Sequence, residues 1–320
     1  MTAAWAPDVL GDGFEAATVT LPPDAEGEVV ATVVRHRAPG PSAGAVLYVH
    51  GFNDYFFQDA LARWYAGRGW DFYAVDLRKY GRSLRPWQTA NLCRSLEDYD
   101  DDLDAAAAVV AADGHSRVLL AGHSTGGLTV SLWLARRPAL PSVGVVLNSP
   151  FLAFKQPAAL RAALMPVAAA VARHRPARVL PAGVSGLYGE SLHASRRGEW
   201  DFNLDWKPLR APVRVGFVAA VGAGQRTLDA GLGLEAPVLV LASTRTVTVS
   251  AWDDDLTRGD AVLDADRIAG RAPAIGRNVT VLRVPDALHD VYLSAAAVRD
   301  RAYRLTGQWL DAWVTPARRG

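Results

Sequence analysis

The fold is decided by ten consecutive residues, Val118-Leu-Leu-Ala-Gly-His-Ser-Thr-Gly-Gly127. The first four are apolar, as in a buried strand, and an amphipathic helical pattern continues after them to about residue 136. A tight strand-to-helix turn therefore falls on Gly122 to Gly126, where side chains at the flanking glycines would clash. Ser124 is expected at the tip of this turn, with its hydroxyl lifted clear of the sheet and facing the positive end of the helix dipole. The context predicts that Ser124 is a nucleophile.

Outward from this turn, short apolar runs alternate with longer amphipathic stretches. Val and Leu fill both faces of most runs, which is typical of buried parallel strands. We predict strands at residues 46–49, 72–75, 118–121, 143–147, 238–241 and 279–284, and helices at 58–68, 96–112 and 127–136. Upstream, residues 15–21 and 28–37 flank a Pro-Pro-Asp turn and predict an antiparallel hairpin. The pattern predicts an α/β fold with a mostly parallel eight-stranded sheet flanked by helices.

The alternation breaks between residues 150 and 235. This segment is punctuated by prolines and contains apolar helical pieces and an aromatic cluster around Trp200 and Trp206. We interpret it as a helical cap over the sheet edge, with residues 1–149 and 236–320 forming the core; ordinary crossover helices are the alternative. Leu164, Trp200 and Trp206 are expected to line or cover an apolar substrate pocket.

Composition narrows the range of partners. The 34 Lys and Arg residues against 33 Asp and Glu give a net charge of +1, so nucleic acid is not expected to bind. The single Cys93 excludes an internal disulfide. Residues 1–8 lack the pattern of a signal peptide, and the longest apolar stretch, 160–171, is shorter than the about 20 residues that span a bilayer. We therefore expect a cytoplasmic protein without a transmembrane segment, and surface contact with lipid stays open.

A second motif, His50-Gly51-Phe52-Asn53, lies at the end of the first buried strand. In a strand–turn–helix serine site, this loop supplies one donor of an oxyanion hole and the residue after the serine supplies the other. The predicted donors are the backbone N–H groups of Phe52 and Thr125. Gly51 lets the backbone approach the substrate, and His50 is expected to bond the loop backbone. Together with His123 beside the serine, His50 and Gly51 make up the predicted substrate-side surface.

A general base and its acid follow from chain order, which in this kind of fold is serine, acid, histidine. Of the seven histidines, only His174, His193 and His289 come after Ser124. The first two lie in the predicted cap, whereas His289 follows the last strand, from where it can reach the serine. We therefore predict that His289 is the base.

The acid is expected in the loop after residues 238–241, which carries several aspartates. It must come just before the next helix so that its carboxylate can face His289. A helix from about residue 261 to 272 favours Asp260 and would place Asp264 and Asp266 inside the helix, where they point away or cap it. The run Asp253, Asp254 and Asp255 stays open as the alternative.

These motifs together resemble the monoacylglycerol lipase and lysophospholipase-like branch of the α/β-hydrolases, also described as serine aminopeptidase-like. The matching segments are His50–Phe52, residues 76–83, Gly122–Gly126, the insertion after residue 150, residues 260–264 and residues 288–290. The resemblance implies a Ser–Asp–His triad, a cap over an acyl pocket and ester hydrolysis without a cofactor. The loop 243–259 is longer than the acid turn usual in that branch.

The function that these residues favour is hydrolysis of a carboxylic ester, such as a monoglyceride, a lysolipid or a smaller acyl ester. No His, Cys and Asp cluster has metal-ligand spacing and no glycine-rich phosphate loop follows the first strand, so neither a metal nor a cofactor is expected. An acyltransferase or a peptidase could use the same triad, and a non-catalytic binder could keep the same fold. Acyl-chain length, head group and oligomeric state are left open by the sequence.

Overall fold

The computed structural model describes residues 4–181 and 185–315. Within these residues, nine strands form one sheet: β1 (Ala6–Pro7), β2 (Phe14–Asp24), β3 (Gly27–His36), β4 (Ala45–Val49), β5 (Asp71–Asp76), β6 (Val118–His123), β7 (Ser142–Asn148), β8 (Val238–Ser243) and β9 (Val279–Val284). Their spatial order is β1-β2-β3-β5-β4-β6-β7-β8-β9. The six predicted buried strands and the predicted hairpin are all present.

The pairing confirms a mostly parallel sheet. The five pairings that link β5, β4, β6, β7, β8 and β9 are parallel, and those that join β1, β2, β3 and β5 are antiparallel. The sheet has nine strands rather than the eight expected, because β1 adds two residues to the edge of β2. A two-residue strand ending in proline is too short to show the alternation that a sequence prediction needs.

Eight helices occur in the described ranges: α1 (Asp59–Gly67), α2 (Asp100–Ala112), α3 (Thr125–Ala135), α4 (Ala158–His174), α5 (Leu187–Leu192), α6 (Val215–Asp229), α7 (Ala265–Arg271) and α8 (Ala296–Trp313). None of them combines the length and the apolar character needed to cross a bilayer.

An apolar cluster lies on each face of the sheet. Along β4, Val46 and Tyr48 belong to the cluster with Trp309 of α8, whereas Leu47 and Val49 belong to the cluster with Trp133 of α3. This alternation is the two-residue period of a strand that is covered on both faces. Each fully buried Val or Leu contributes roughly 1.5–3 kcal/mol through burial, so the central strands are rigid supports for the loops at their carboxyl ends.

Helices α4, α5 and α6 occupy the segment between β7 and β8 that we interpreted as a cap. Helix α6 contributes Phe217, Val221 and Leu228 to the same apolar cluster as the strands, and α4 packs along α6. In this packing α6 lies among the helices that flank the sheet, and the division of the chain at residue 235 stays a prediction.

Candidate active site

Ser124 lies at the turn between β6 and α3 with backbone angles φ 52° and ψ −118°. Its N–H donates to Asn148 O at 3.0 Å, and its carbonyl accepts from Phe151 N at 2.9 Å. These bonds hold the turn against the end of β7. A non-glycine residue at positive φ costs about 1–3 kcal/mol and persists only when its surroundings impose it. The strain at the predicted nucleophile is therefore supported by the neighbouring strand.

The two glycines that flank Ser124 make this turn possible. A Cβ at Gly126 would lie 2.2 Å from the carbonyl oxygen of His50 and 2.3 Å from that of Val49. A Cβ at Gly122 would lie 2.8 Å from the Gly126 oxygen. Both sets of atoms belong to the backbone and cannot move aside, so side chains are excluded at both positions, as the sequence analysis expected.

The loop after β4 brings the predicted oxyanion donors to the serine. A Cβ on Gly51 would lie 3.1 Å from Ser124 Cβ, so this backbone passes directly beside the serine. Neither Phe52 nor Thr125 donates its N–H to another backbone carbonyl within residues 4–181 and 185–315, and Thr125, as the first residue of α3, has no partner within its own helix. Two backbone donors are thus available near Ser124.

His50 requires a correction to its assignment on the substrate side. It is fully buried, its Nε2 accepts from the N–H of Leu77 at 3.1 Å, and its Nδ1 lies 2.7 Å from Gly51 O. Because Nε2 accepts, Nδ1 carries the proton and donates to Gly51. Burial is the main influence on the pKa of His50 and lowers it. His50 is therefore a neutral residue that shapes the loop through its backbone bonds.

His289 Nδ1 lies 2.9 Å from Asp260 Oδ2, and both side chains are buried. The other oxygen of Asp260 accepts from the N–H groups of Val262 at 2.8 Å and Leu263 at 2.7 Å. Burial alone would raise the pKa of Asp260, but the charge and hydrogen bond of His289 and the two N–H groups lower it below its usual range. Asp260 is therefore a carboxylate that fixes the orientation of the His289 imidazole.

The long loop after β8 folds back so that its last residues pair with its first residues. Asp260 forms an isolated parallel bridge with Thr246, its N–H donates to Arg245 O at 3.0 Å, and its carbonyl accepts from Val247 N at 2.8 Å. Asp260 therefore lies next to the carboxyl end of β8 although 16 residues separate it from Ser243, the last residue of that strand. The extra length of the loop bulges away between these contacts.

The other aspartates of this loop have different partners. Asp253, Asp254 and Asp255 are exposed; Asp253 caps a short 3₁₀ turn, and Asp255 pairs with Arg245. Helix α7 begins at Ala265, later than the predicted start at residue 261, because Asp264 caps it by accepting from Arg267 N at 3.0 Å. Asp264 therefore caps the helix, one of the two roles expected for it, and only the predicted start of the helix was wrong.

His289 and the serine turn meet through His123. The rings of His123 and His289 have centroids 4.9 Å apart. Ser124 and His289 share no hydrogen bond in the described part of the chain, and catalytic hydrogen bonds are often long or poorly aligned before substrate binds. Tyr188 of α5 packs its ring edge-on against His289 at 5.7 Å, and its hydroxyl accepts from Asp290 N at 2.9 Å.

A buried charge cluster beside the serine escaped the sequence analysis. Asp54 Oδ1 accepts from Lys207 Nζ at 2.8 Å, and its Oδ2 lies 3.5 Å from His123 Nδ1. Although burial raises the pKa of Asp54, Lys207 and His123 hold it well below its usual range. Burial lowers the pKa of His123, but the charges of Asp290 and Asp54 outweigh this and raise it. Lys207 is one of three lysines in the chain, and no local pattern in the sequence marks it as the partner of Asp54.

A second buried carboxylate anchors the loop that carries His289. Asp290 Oδ1 accepts from Asn148 Nδ2 at 2.6 Å, and its Oδ2 accepts from Gln58 Nε2 at 3.2 Å. Asn148 Oδ1 in turn accepts from Val291 N at 3.0 Å. These bonds fasten the residues after His289 to the end of β7, the strand that also holds Ser124.

The three residues that we expected around an acyl pocket lie in different surroundings. Trp200 donates from Nε1 to Leu293 O at 2.8 Å, and Trp206 packs edge-on against Tyr55 at 5.2 Å, so both attach their segment to the core. Leu164 is 49% exposed on α4 and belongs to none of the apolar clusters formed by the described residues. A role for any of the three in binding an acyl chain stays a prediction.

The strand order and the strained serine turn define an α/β-hydrolase fold. The sequence profile of the family described as serine aminopeptidase, S33, matches residues 40–249, more than half of the chain, and the chain belongs to this family. One curated relative is the AB hydrolase superfamily protein YisY of Bacillus subtilis (strain 168), 33% identical over 93 residues. That match covers 28% of this chain and 32% of YisY.

Solved structures share the fold over almost their whole length. A monoacylglycerol lipase from Paleococcus ferrophilus is 21% identical, with a TM-score of 0.62 over 88% of this chain and 98% of that one. A soluble variant of the monoglyceride lipase from Saccharomyces cerevisiae is 15% identical, with a TM-score of 0.67 over 93% and 96% of the two chains. A thermophilic esterase from Thermogutta terrifontis is 20% identical, with a TM-score of 0.58 over 93% and 99%. These findings confirm the resemblance drawn from the motifs.

Proposed function

We propose that this hydrolase cleaves carboxylic esters through an acyl-enzyme on Ser124. The observation that carries the proposal is the buried hydrogen bond between His289 Nδ1 and Asp260 Oδ2. The His289 ring lies 4.9 Å from that of His123, whose neighbour in the chain is Ser124, held at φ 52°. A base oriented by a carboxylate, beside a hydroxyl on a strained turn, is the arrangement by which serine hydrolases activate their nucleophile.

The reaction follows from these positions. Ser124 Oγ attacks the ester carbonyl carbon while His289 Nε2, the nitrogen that Asp260 leaves free, takes the hydroxyl proton. The N–H groups of Phe52 and Thr125 bind the oxyanion that forms. The bond to the alcohol oxygen then breaks, and His289 returns the proton to the leaving alcohol. Water repeats the sequence on the acyl-enzyme, releasing the carboxylic acid and restoring Ser124.

The substrate class that we propose is an acyl monoester: a monoglyceride, a lysolipid or a smaller ester. It is supported by the likeness to lipases and esterases and by the apolar residues of α4, whose Leu160, Leu164 and Val167 are 46–59% exposed. An exposed apolar row suits contact with a lipid surface that delivers such substrates. We further propose that the reaction runs without a metal or other cofactor and in the cytoplasm.

A peptidase on the same residues is the second candidate, because the matching family is described as a serine aminopeptidase. An acyltransferase would share the acyl-enzyme and differ only in passing the acyl group to an alcohol instead of water. A non-catalytic binder on the same fold would lack an activated serine.

The test combines a covalent probe with a substrate panel. Purified protein and its Ser124→Ala variant are treated with a fluorophosphonate, and both are assayed on esters of varied chain length, on amino-acid anilides and with added acceptor alcohols. We expect labelling and ester turnover by the wild type alone, unchanged by a chelator. Labelling of the Ser124→Ala variant would show that another residue is the nucleophile. Faster turnover of anilides than of esters would favour a peptidase. A wild-type protein that is not labelled would favour a non-catalytic binder.

A further inference from the structure

A cavity of about 530 Å³ lies between α4, α6 and α7. Its lining contains neither Ser124 nor Asp260 nor His289, so it is separate from the candidate active site. Its volume falls within the about 300–1,000 Å³ that is typical of small-molecule sites.

The cavity carries an excess of guanidinium groups. Arg161, Arg226 and Arg271 line it together with a single carboxylate, Asp229, which pairs with Arg271. The ion pairs in residues 4–181 and 185–315 include neither Arg161 nor Arg226. Arg161 Nη1 donates to Phe154 O at 3.3 Å and Arg226 Nη1 to Gly222 O at 3.2 Å. Most N–H groups of the Arg161 and Arg226 guanidinium groups are therefore available to an anion.

Arg271 adds a donor that is already desolvated. Its Nε is buried and has no hydrogen-bond partner among the described residues. A buried donor without a partner costs about 1–3 kcal/mol, so a turn of this guanidinium group that brings Nε to a ligand oxygen would be favourable. Planar guanidinium forks match carboxylate and phosphate oxygens with paired, charge-assisted hydrogen bonds.

Apart from Gln225, the remaining wall is apolar. Phe154, Met165 and Pro166 line it beside small residues of α4 and α6. At Gly222 a Cβ would lie 2.8 Å from Met165 Sδ, so the absence of a side chain there leaves the Met165 thioether facing α6. An occupant must therefore combine an anionic head with a hydrocarbon portion.

We propose that this cavity is a second, non-catalytic binding site for an anionic amphiphile, with a carboxylate or phosphate monoester head held by Arg161, Arg226 and Arg271. The wall is also connected to the serine turn: Gln225, which lines the cavity, donates from Nε2 to Phe151 O at 3.0 Å, and Phe151 N donates to Ser124 O at 2.9 Å. The site does not depend on the proposed ester hydrolysis.

The chain offers a reporter in the cavity wall, because Met165 and Met1 are its two methionines. Protein labelled with ¹³C at the methionine methyl groups is titrated with dodecanoate, dodecyl phosphate, dodecanol and inorganic phosphate, and Met165→Leu assigns the resonance. We expect a saturable shift of the Met165 signal with dodecanoate or dodecyl phosphate. The stronger of the two identifies the head group, and dodecanol and inorganic phosphate should shift it at least tenfold more weakly.

The variant Arg161→Ala/Arg226→Ala should weaken binding roughly tenfold or more through loss of charge-assisted hydrogen bonds. Arg173→Ala, on the same helix but outside the cavity lining, is the matched control and should bind as the wild type does. Circular dichroism checks folding, and the single change Arg226→Glu, at an exposed position, replaces the double variant if that fails to fold. No shift with either anion, an equal shift with dodecanol, or undiminished binding by the arginine variants would overturn the proposal.

Discussion

Asp260 and His289 form a hydrogen bond of 2.9 Å between Oδ2 and Nδ1 in the interior of the protein. The bond joins the long loop after β8 to the loop after β9, and Asp260 also accepts two backbone N–H groups through Oδ1. Because both oxygens of Asp260 hold hydrogen bonds, the carboxylate cannot turn away, and it keeps the His289 imidazole in one orientation.

Replacement of Asp260 by Asn should lower ester turnover by orders of magnitude, in line with the about 10⁴-fold loss for the same change in a serine protease triad. The amide keeps the shape but removes the charge that stabilises the imidazolium. The measurement is kcat on a soluble ester. Asp254→Asn, at an exposed position of the same loop, is the control and should leave kcat near normal. A large loss of kcat in Asp254→Asn together with near-normal kcat in Asp260→Asn would show that the acid lies in the run Asp253, Asp254 and Asp255.

Replacement of Ser124 by Gly should stabilise the protein by about 1 kcal/mol relative to Ser124→Ala. Both changes remove the hydroxyl and both should abolish turnover, but only glycine accepts φ 52° and ψ −118° without strain. The strain of about 1–3 kcal/mol is partly offset by the about 0.5–1 kcal/mol of extra chain entropy that glycine loses. Urea unfolding of the two variants measures the difference, and equal stability would mean that the turn carries no strain.

Replacement of Gly126 by Ala should destabilise the fold by several kcal/mol, because the new Cβ would meet the carbonyl oxygens of His50 and Val49 at 2.2 and 2.3 Å. The matched control is Gly67→Ala, where no heavy atom lies within 4 Å of the new Cβ. It should change stability by no more than about 1 kcal/mol in the favourable direction. Thermal unfolding followed by circular dichroism distinguishes the two, and a tolerated Gly126→Ala would contradict the close packing of this turn.

Replacement of Lys207 by Met should destabilise the protein by about 3–5 kcal/mol at neutral pH, since it leaves the Asp54 carboxylate buried without its cation. In the wild type, the pKa of Asp54 lies well below its usual range, so the pair stabilises the fold above the unfolded pKa of about 3.9 and loses that effect as pH falls further. In the variant, burial raises the pKa of Asp54, and protonation then relieves the penalty.

The loss of unfolding free energy in Lys207→Met should therefore be largest at pH 7 and should decrease toward pH 4.5. Urea unfolding at both pH values measures it. Arg277→Met, which removes an exposed partner of Glu235, should cost less than about 1 kcal/mol at either pH. A deficit of Lys207→Met that is independent of pH would indicate lost packing rather than an unpaired charge.

Local patterns in the sequence predicted most of the fold. Apolar residues repeat every two residues in a strand and every 3.6 residues in a helix, and both repeats are visible in short windows of sequence. The six buried strands and the helices α1, α2 and α3 could therefore be recognised from the sequence. The turn at Ser124 was recognisable from a short window as well, because Gly122 is required by the adjacent backbone of Gly126 and Gly127, whereas Gly126 is required by the distant carbonyls of Val49 and His50. The start of α7 was misplaced because Asp264 caps the helix, a choice between equivalent aspartates that periodicity does not make.

The sequence by itself determined the strand and helix pattern, the strained serine and the order in which a base must follow it. Only the tertiary structure decided which partners meet: that loop 244–259 folds back so that Asp260 reaches His289, that Lys207 reaches Asp54 across 153 residues, and that Tyr188 lies against His289. Contacts of this kind depend on how loops close and how layers pack. Their stability comes from burial and paired charges in the assembled interior, where residues far apart in the chain become neighbours and no local spacing records them.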